Sequence, residues 1–180
     1  MIRHLFPLAM FITLITLLQS CALNENNDTT NPSSCFVENN TWYRLTNRYI
    51  GTSKALDTYS DTHGLHMSST NNNYSGQYWN FTPLGDGYYR LSNKYLGTSK
   101  ALDTYANTHG LHMSDATNNY SGQHWKLTQL DGGYCRLTNK YIGTSKALDT
   151  YATTHGLHMS ETSQDYSGQY WKLTQLDGGY

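Results

Sequence analysis

One stretch of 46 residues, 89–134, reads YRLSNKYLGTSKALDTYANTHGLHMSDATNNYSGQHWKLTQLDGGY, and it has a copy before it (43–88) and a copy after it (135–180). The register holds throughout: Asp57, Asp103 and Asp149 are evenly spaced, and so are Trp79, Trp125 and Trp171. Uninterrupted self-similarity of this kind constrains architecture more than any local pattern, because each copy is a unit that must bury its apolar face against its neighbours.

Within one copy, four short segments alternate apolar and polar residues. They are Tyr89-Arg90-Leu91, residues 101–105, Leu111-His112-Met113 and residues 124–130. Turn-forming Asn, Asp and Gly stand between them, and no segment keeps a helical period over a useful length. The chain is therefore expected to be all-β, with twelve strands. A propeller of three blades is too small to close, and a β-solenoid needs more uniform rungs and capping repeats. What remains is a closed three-fold unit, a six-stranded barrel with three capping hairpins: the β-trefoil. Closure also removes exposed sheet edges. Trp42, Tyr88, Tyr134 and Tyr180 are equivalent positions, one more than three copies need. Two readings stay open: Tyr180 closes the barrel against the first strand, or the copies begin a longer array.

A length of 180 residues fits one domain. The net charge of −1, with charged residues dispersed, leaves no basic stripe for a phosphate backbone, so nucleic acid is not an expected partner. The 16 tyrosines, with many Asn, Ser, Thr and Gly, suit a recognition surface and equally suit half-buried strands and turns. Residues 1–20 begin with Arg3 and His4 and continue in an apolar run, 5–18, too short for a comfortable membrane span and suited to a signal peptide. Leu18-Gln19-Ser20-Cys21 resembles a bacterial lipobox, which implies a lipidated Cys21 as the first mature residue; ordinary cleavage after Ala22 is the alternative. The expected product is an exported protein, membrane-anchored through lipid or else secreted. Residues 21–41, polar and rich in Asn and Thr, read as a flexible tether to a domain spanning 42–180. Two further cysteines, Cys35 and Cys135, remain. They either pair in an oxidising compartment or stand as separate thiols, Cys135 occupying the place of Tyr43 and Tyr89.

Gln77-Tyr78-Trp79, Gln123-His124-Trp125 and Gln169-Tyr170-Trp171 form a Gln-x-Trp triplet once per copy, each preceded at a constant distance by Leu56-Asp57, Leu102-Asp103 or Leu148-Asp149. On these motifs all three copies resemble the ricin-type lectin domain, a β-trefoil that binds carbohydrate. The resemblance implies a sugar-binding aspartate at Asp57, Asp103 and Asp149, a polar ligand residue at His66, His112 and His158, and a further one at Gln77, Gln123 and Gln169. Period two independently places Leu56 in the core with Asp57 and Tyr59 pointing together to solvent, and turns His66 outward between Leu65 and Met67. Tyr59, Tyr105 and Tyr151 thus join the expected set, as a phenol beside a carboxylate and an imidazole suits sugar hydroxyls and C–H faces. The Trp residues are expected in the core, and the bland roles for Gln and Asp are backbone satisfaction and turn capping.

The copies also depart from the family pattern. Ser68, Ser114 and Ser160 stand where an aromatic is frequent, and Gly76, Gly122 and Gly168 where Asn is frequent. Stacking would then fall to Tyr59, Tyr105 and Tyr151, or to Tyr74, Tyr120 and Tyr166. His63 and His66, like their copies, are three apart, so on a strand they face opposite ways and no metal site is expected. No cofactor is implied. No nucleophile stands recognisably with a base and no carboxylate pair for glycoside hydrolysis is evident, so an enzyme is not expected. The leading expectation is a monomeric lectin-like module for glycans with up to three weak sites acting by avidity. The alternatives are a trefoil scaffold binding a protein partner, and the binding module of a polysaccharide-degrading protein whose catalytic part lies elsewhere.

Overall fold

The computed structural model describes residues 35–177, apart from residues 60, 63, 106 and 152. The apolar leader, Cys21 and the first part of the expected tether lie outside the described residues, as does Tyr180.

Among the described residues, twelve strands follow in the expected four-per-copy order. The first copy contributes β1 (Trp42–Asn47), β2 (Gly51–Thr58), β3 (Leu65–Ser69) and β4 (Trp79–Gly85). The second contributes β5 (Tyr88–Asn93), β6 (Lys100–Thr104), β7 (Leu111–Asp115) and β8 (Trp125–Leu130). The third contributes β9 (Tyr134–Asn139), β10 (Gly143–Thr150), β11 (Leu157–Glu161) and β12 (Trp171–Leu176). All pairings are antiparallel. Running β1–β4–β5–β8–β9–β12 and back to β1, six strands close a barrel. The remaining six form the hairpins β2–β3, β6–β7 and β10–β11. The fold is a β-trefoil. Closure is made by β12 lying along β1 from Trp42↔Leu176 to Asn47↔Trp171.

The core repeats with the chain. Leu45, Leu91 and Leu137 line the barrel without exposed surface, and Leu56, Leu102 and Leu148 do the same under the hairpins. Trp79, Trp125 and Trp171 are fully buried, and their indole N–H groups donate to the carbonyls of Leu56, Leu102 and Leu148 at 3.0, 2.9 and 2.9 Å. A buried indole needs such an acceptor. Here the acceptor is the residue just before each aspartate, so the core anchor also fixes the aspartate's backbone. The hairpins are hooked to one another: Met67 N donates to the His155 carbonyl at 2.9 Å and Met159 N to the His109 carbonyl at 3.3 Å.

The expected tether reaches too far. Residues 35–41 are packed onto the domain: Val37 is buried in the core cluster, and Glu38 N donates to the Tyr43 hydroxyl at 2.9 Å. Cys35 and Cys135 are joined by a disulfide, with Cα atoms 5.6 Å apart. At that position the first two copies place Tyr43 and Tyr89 edge-on to Phe81. The third has the small Cys135 instead, which leaves room for Cys35 to approach.

Candidate functional site

Across the β2–β3 hairpin Asp57 lies directly opposite His66, with Leu56 opposite Met67 on the inner face. Period two carries Tyr59 and Ser68 to the same outer face. Asp103 with His112 and Asp149 with His158 repeat the arrangement.

The aspartates do not point freely to solvent. Asp57, Asp103 and Asp149 are only 7%, 7% and 4% exposed. The reason is the loop that follows each hairpin: its 3-10 turn, Ser75–Gln77 in the first copy, folds back over the carboxylate. A Cβ on Gly76 would stand 2.0 Å from Asp57 Oδ1, so only glycine allows that approach. Asp57 Oδ1 accepts the Thr58 amide at 2.8 Å, and Oδ2 accepts the Ser68 hydroxyl at 2.5 Å. Asp103 is held the same way at 2.8 and 2.6 Å. Asp149 accepts the Thr150 amide at 2.7 Å and the Ser160 hydroxyl. Asp57 Oδ2 and Asp103 Oδ2 also accept a longer bond from Gln77 Nε2 at 3.4 Å and from Gln123 Nε2 at 3.3 Å. A carboxylate has about four acceptor directions, so each keeps an unused one.

Gln77, Gln123 and Gln169 are not positioned as ligands. Each is 0% exposed. Gln77 Nε2 donates to Ser68 Oγ at 2.7 Å and to the Ser69 carbonyl at 2.8 Å, while its oxygen accepts the Asn71 amide at 3.0 Å. Gln123 repeats all three bonds. Gln169 keeps only the donor bonds, and its Oε1 has no partner, because the third copy turns through an extra 3-10 segment, Thr162–Gln164. The amide side chain steers the serine, which steers the aspartate. The same serines that break the family's aromatic pattern are the hinge of this relay.

Tyr59 stacks on His66 with centroids 3.9 Å apart and planes 14° from parallel; Tyr105–His112 and Tyr151–His158 match it at 3.9 and 3.8 Å. One face of each phenol is thus covered, yet the rings remain about half exposed. Burial of each imidazole holds its pKa below the usual 6.5, against the pull of the aspartate opposite; at His66, Lys54 adds to the lowering. The rings are neutral at pH 7, and each Nδ1 is buried without a hydrogen-bond partner.

Three depressions open beside the aspartates. The first, about 420 Å³, is lined by Asp57, Tyr59, His66, Tyr74 and Gly76 among others, and by Tyr95. The second, about 300 Å³, has Asp103, Tyr120, Gly122 and Tyr141, without Tyr105 or His112. The third, about 290 Å³, has Asp149, Tyr151, Tyr166, Gly168 and Tyr49, without His158. Tyr95, Tyr141 and Tyr49 went unnoticed in the sequence because each belongs to the copy after the one whose aspartate it faces. The signal that marks them is a recurring Asn-x-Tyr: Asn47-Arg48-Tyr49, Asn93-Lys94-Tyr95, Asn139-Lys140-Tyr141. Among the described residues, no lysine or arginine lines any of the three depressions. Among the described residues no group of three or more His, Cys, Asp or Glu is placed to hold a metal ion.

The family model described as ricin-type beta-trefoil lectin domain-like matches residues 75–160. No curated protein matches. Among solved structures, the designed three-fold symmetric protein ThreeFoil is 31% identical with a TM-score of 0.63, over 75% of this chain and 99% of that one. The GlcNAcα1-4Gal-releasing endo-β-galactosidase from Clostridium perfringens is 19% identical with a TM-score of 0.66, over 79% of this chain and 34% of the enzyme. The exo-β-1,3-galactanase from Clostridium thermocellum is 24% identical with a TM-score of 0.63, over 78% of this chain and 31% of the enzyme. These last two likenesses establish the shared fold alone. With the family model on residues 75–160 and a relative above 30% identity spanned almost end to end, the chain belongs to the ricin-type β-trefoil lectin domain-like family.

Proposed function

We propose that this protein is a non-catalytic, monomeric carbohydrate-binding module with three equivalent shallow sites for neutral glycans. The observation that carries the reading is the threefold depression itself: an anchored carboxylate with a free acceptor direction, beside tyrosine rings left half exposed. Carboxylate oxygens accept sugar hydroxyls, and aromatic faces take the apolar C–H side of a pyranose. Neutrality follows from charge. The aspartate is the lining charge in each depression and among the described lining residues there is no lysine or arginine beside it, so sialylated, sulfated or uronic acid ligands would bring like charge against it. Each site alone is weak, and three on one rigid barrel gain ~10²–10⁴ in avidity on a repetitive glycan.

The leader and Leu18-Gln19-Ser20-Cys21 support export with a lipid on Cys21, which would hold the module at a membrane surface. Membrane partitioning that disappears in Cys21→Ala is the expected result; an unmodified, freely secreted protein overturns the anchor.

The binding test is an array of neutral and acidic glycans, galactose-containing ones included, probed with the full chain and with the Asp57/Asp103/Asp149→Asn variant. Binding to neutral glycans that the folded variant loses is expected. A folded wild type that binds no glycan favours a trefoil scaffold for a protein partner.

A further inference from the structure

Each depression is bounded by one tyrosine from the copy that follows: Tyr95 faces Asp57, Tyr141 faces Asp103, and Tyr49, from the start of the domain, faces Asp149 near its end. These rings have no evident structural duty. They are 54%, 52% and 53% exposed at Tyr49, Tyr95 and Tyr141, and among the described contacts their side chains make neither a hydrogen bond nor a ring contact. Their backbone, by contrast, is held firmly. Asn93 is completely buried; its Nδ2 donates to the Gly76 carbonyl, and its Oδ1 accepts the Tyr95 amide at 2.9 Å. Asn139 links Gly122 to Tyr141 at 2.7 and 3.0 Å, and Asn47 links Gly168 to Tyr49 at 2.6 and 2.9 Å. A second bond ties each junction: the amides of Lys94, Lys140 and Arg48 donate to the carbonyls of Tyr78, His124 and Tyr170, each at 2.9 Å. One buried amide side chain therefore sets the distance between the glycine that cradles the aspartate and the tyrosine of the next copy. Burying an Asn bonded through both its Nδ2 and its Oδ1 to position a half-exposed ring makes sense if the ring's placement relative to the carboxylate matters.

We propose that Tyr49, Tyr95 and Tyr141 are ligand-contacting residues, each presenting its aromatic face to the sugar held at the aspartate of the preceding copy. Every site is then shared between two copies. The third is assembled only when β12 closes on β1, which brings Tyr49 to Asp149 from opposite ends of the domain. This inference rests on the glycan reading and adds the residues that grip the apolar side of the ring.

The experiment uses the full chain on the same panel of neutral glycans, comparing wild type with Tyr49/Tyr95/Tyr141→Ala and with Tyr49/Tyr95/Tyr141→Phe. The alanine variant is expected to lose at least tenfold in affinity with an unchanged melting temperature, while the phenylalanine variant, which keeps the ring, stays within about threefold of wild type. A single Tyr49→Ala, titrated with the strongest-binding neutral glycan of the panel, should lower the number of sites from three to two and leave those at Asp57 and Asp103 intact. Wild-type affinity in the alanine variant overturns the inference while leaving the glycan reading standing. Retention of all three sites in Tyr49→Ala overturns the shared third site. Absence of any glycan binding by the folded wild type overturns both readings.

Discussion

Gly76 and Asp57 are in contact so close that a single methyl group cannot come between them: a Cβ on Gly76 would meet Asp57 Oδ1 at 2.0 Å, and the equivalent distances are 2.2 Å for Gly122 with Asp103 and 1.9 Å for Gly168 with Asp149. The glycine that replaces the family's frequent Asn is what lets the loop lie directly on the carboxylate. Gly76→Ala, Gly122→Ala and Gly168→Ala are each expected to push the aspartate out of its bonds and to cost about 1–3 kcal/mol by overpacking. For a domain of this size that is several degrees of melting temperature per substitution. Glycan binding should fall with the number of sites altered, which thermal melts and array binding on the same samples would check.

The relay Gln77–Ser68–Asp57 predicts an asymmetry among copies. Gln77→Ala and Gln123→Ala each leave a loop amide without its acceptor and remove the bond that the serine accepts, with a cost of about 1–3 kcal/mol. Gln169→Ala should cost less, because its Oε1 already lacks a partner. Urea titrations of the three single variants would rank them; equal losses would contradict the arrangement around Gln169.

The Cys35–Cys135 bridge closes a loop across 100 positions of sequence. Chain entropy puts its contribution at up to about 4.7 kcal/mol, and measured bridges typically deliver about 2–4 kcal/mol. Reduction, or Cys35→Ser with Cys135→Ser, should lower the melting temperature by roughly ten degrees. Neither cysteine lines a depression, so glycan affinity at 25 °C should not change.

Acidification should weaken the fold through the three stacked histidines. Burial lowers the folded-state pKa of His66, His112 and His158 below 6.5, so between 6.5 and the lowered value the unfolded chain binds more protons. Their contribution is complete above about pH 6.5 and is lost as pH falls through the folded-state pKa. The slope of melting temperature between pH 7 and 5 should flatten in His66/His112/His158→Gln. A slope identical to wild type would show that these rings do not titrate with folding.

Much of this molecule was legible in its sequence. The unbroken 46-residue register, with turn residues between short alternating segments, leads to twelve strands and a closed three-fold barrel, and the buried Gln-x-Trp tryptophans follow from the same reading. The site was only partly legible. Strand period correctly set Asp57 and His66 on one outer face, but period says nothing of a loop returning over that face, so the aspartate's burial was missed. A glutamine that donates to a sugar and one that donates to a serine look alike in sequence. Tyr95 and Tyr141 escaped because each faces the aspartate of the preceding copy, a relation between copies rather than within one, and Tyr49 because its partner is defined by barrel closure. The tether was overextended because one valine and one cysteine in a polar stretch give little warning of packing.

The central claim is three equivalent sugar sites at the aspartate-glycine cradles, and amide-resolved NMR of the full chain titrated with the strongest-binding neutral glycan of the array tests it most directly. The account predicts that the amides of Gly76, Gly122 and Gly168 shift together with those of Tyr95, Tyr141 and Tyr49, with one common midpoint. Shifts confined to another surface, or no shift with any neutral glycan while the spectrum remains that of a folded protein, would contradict it.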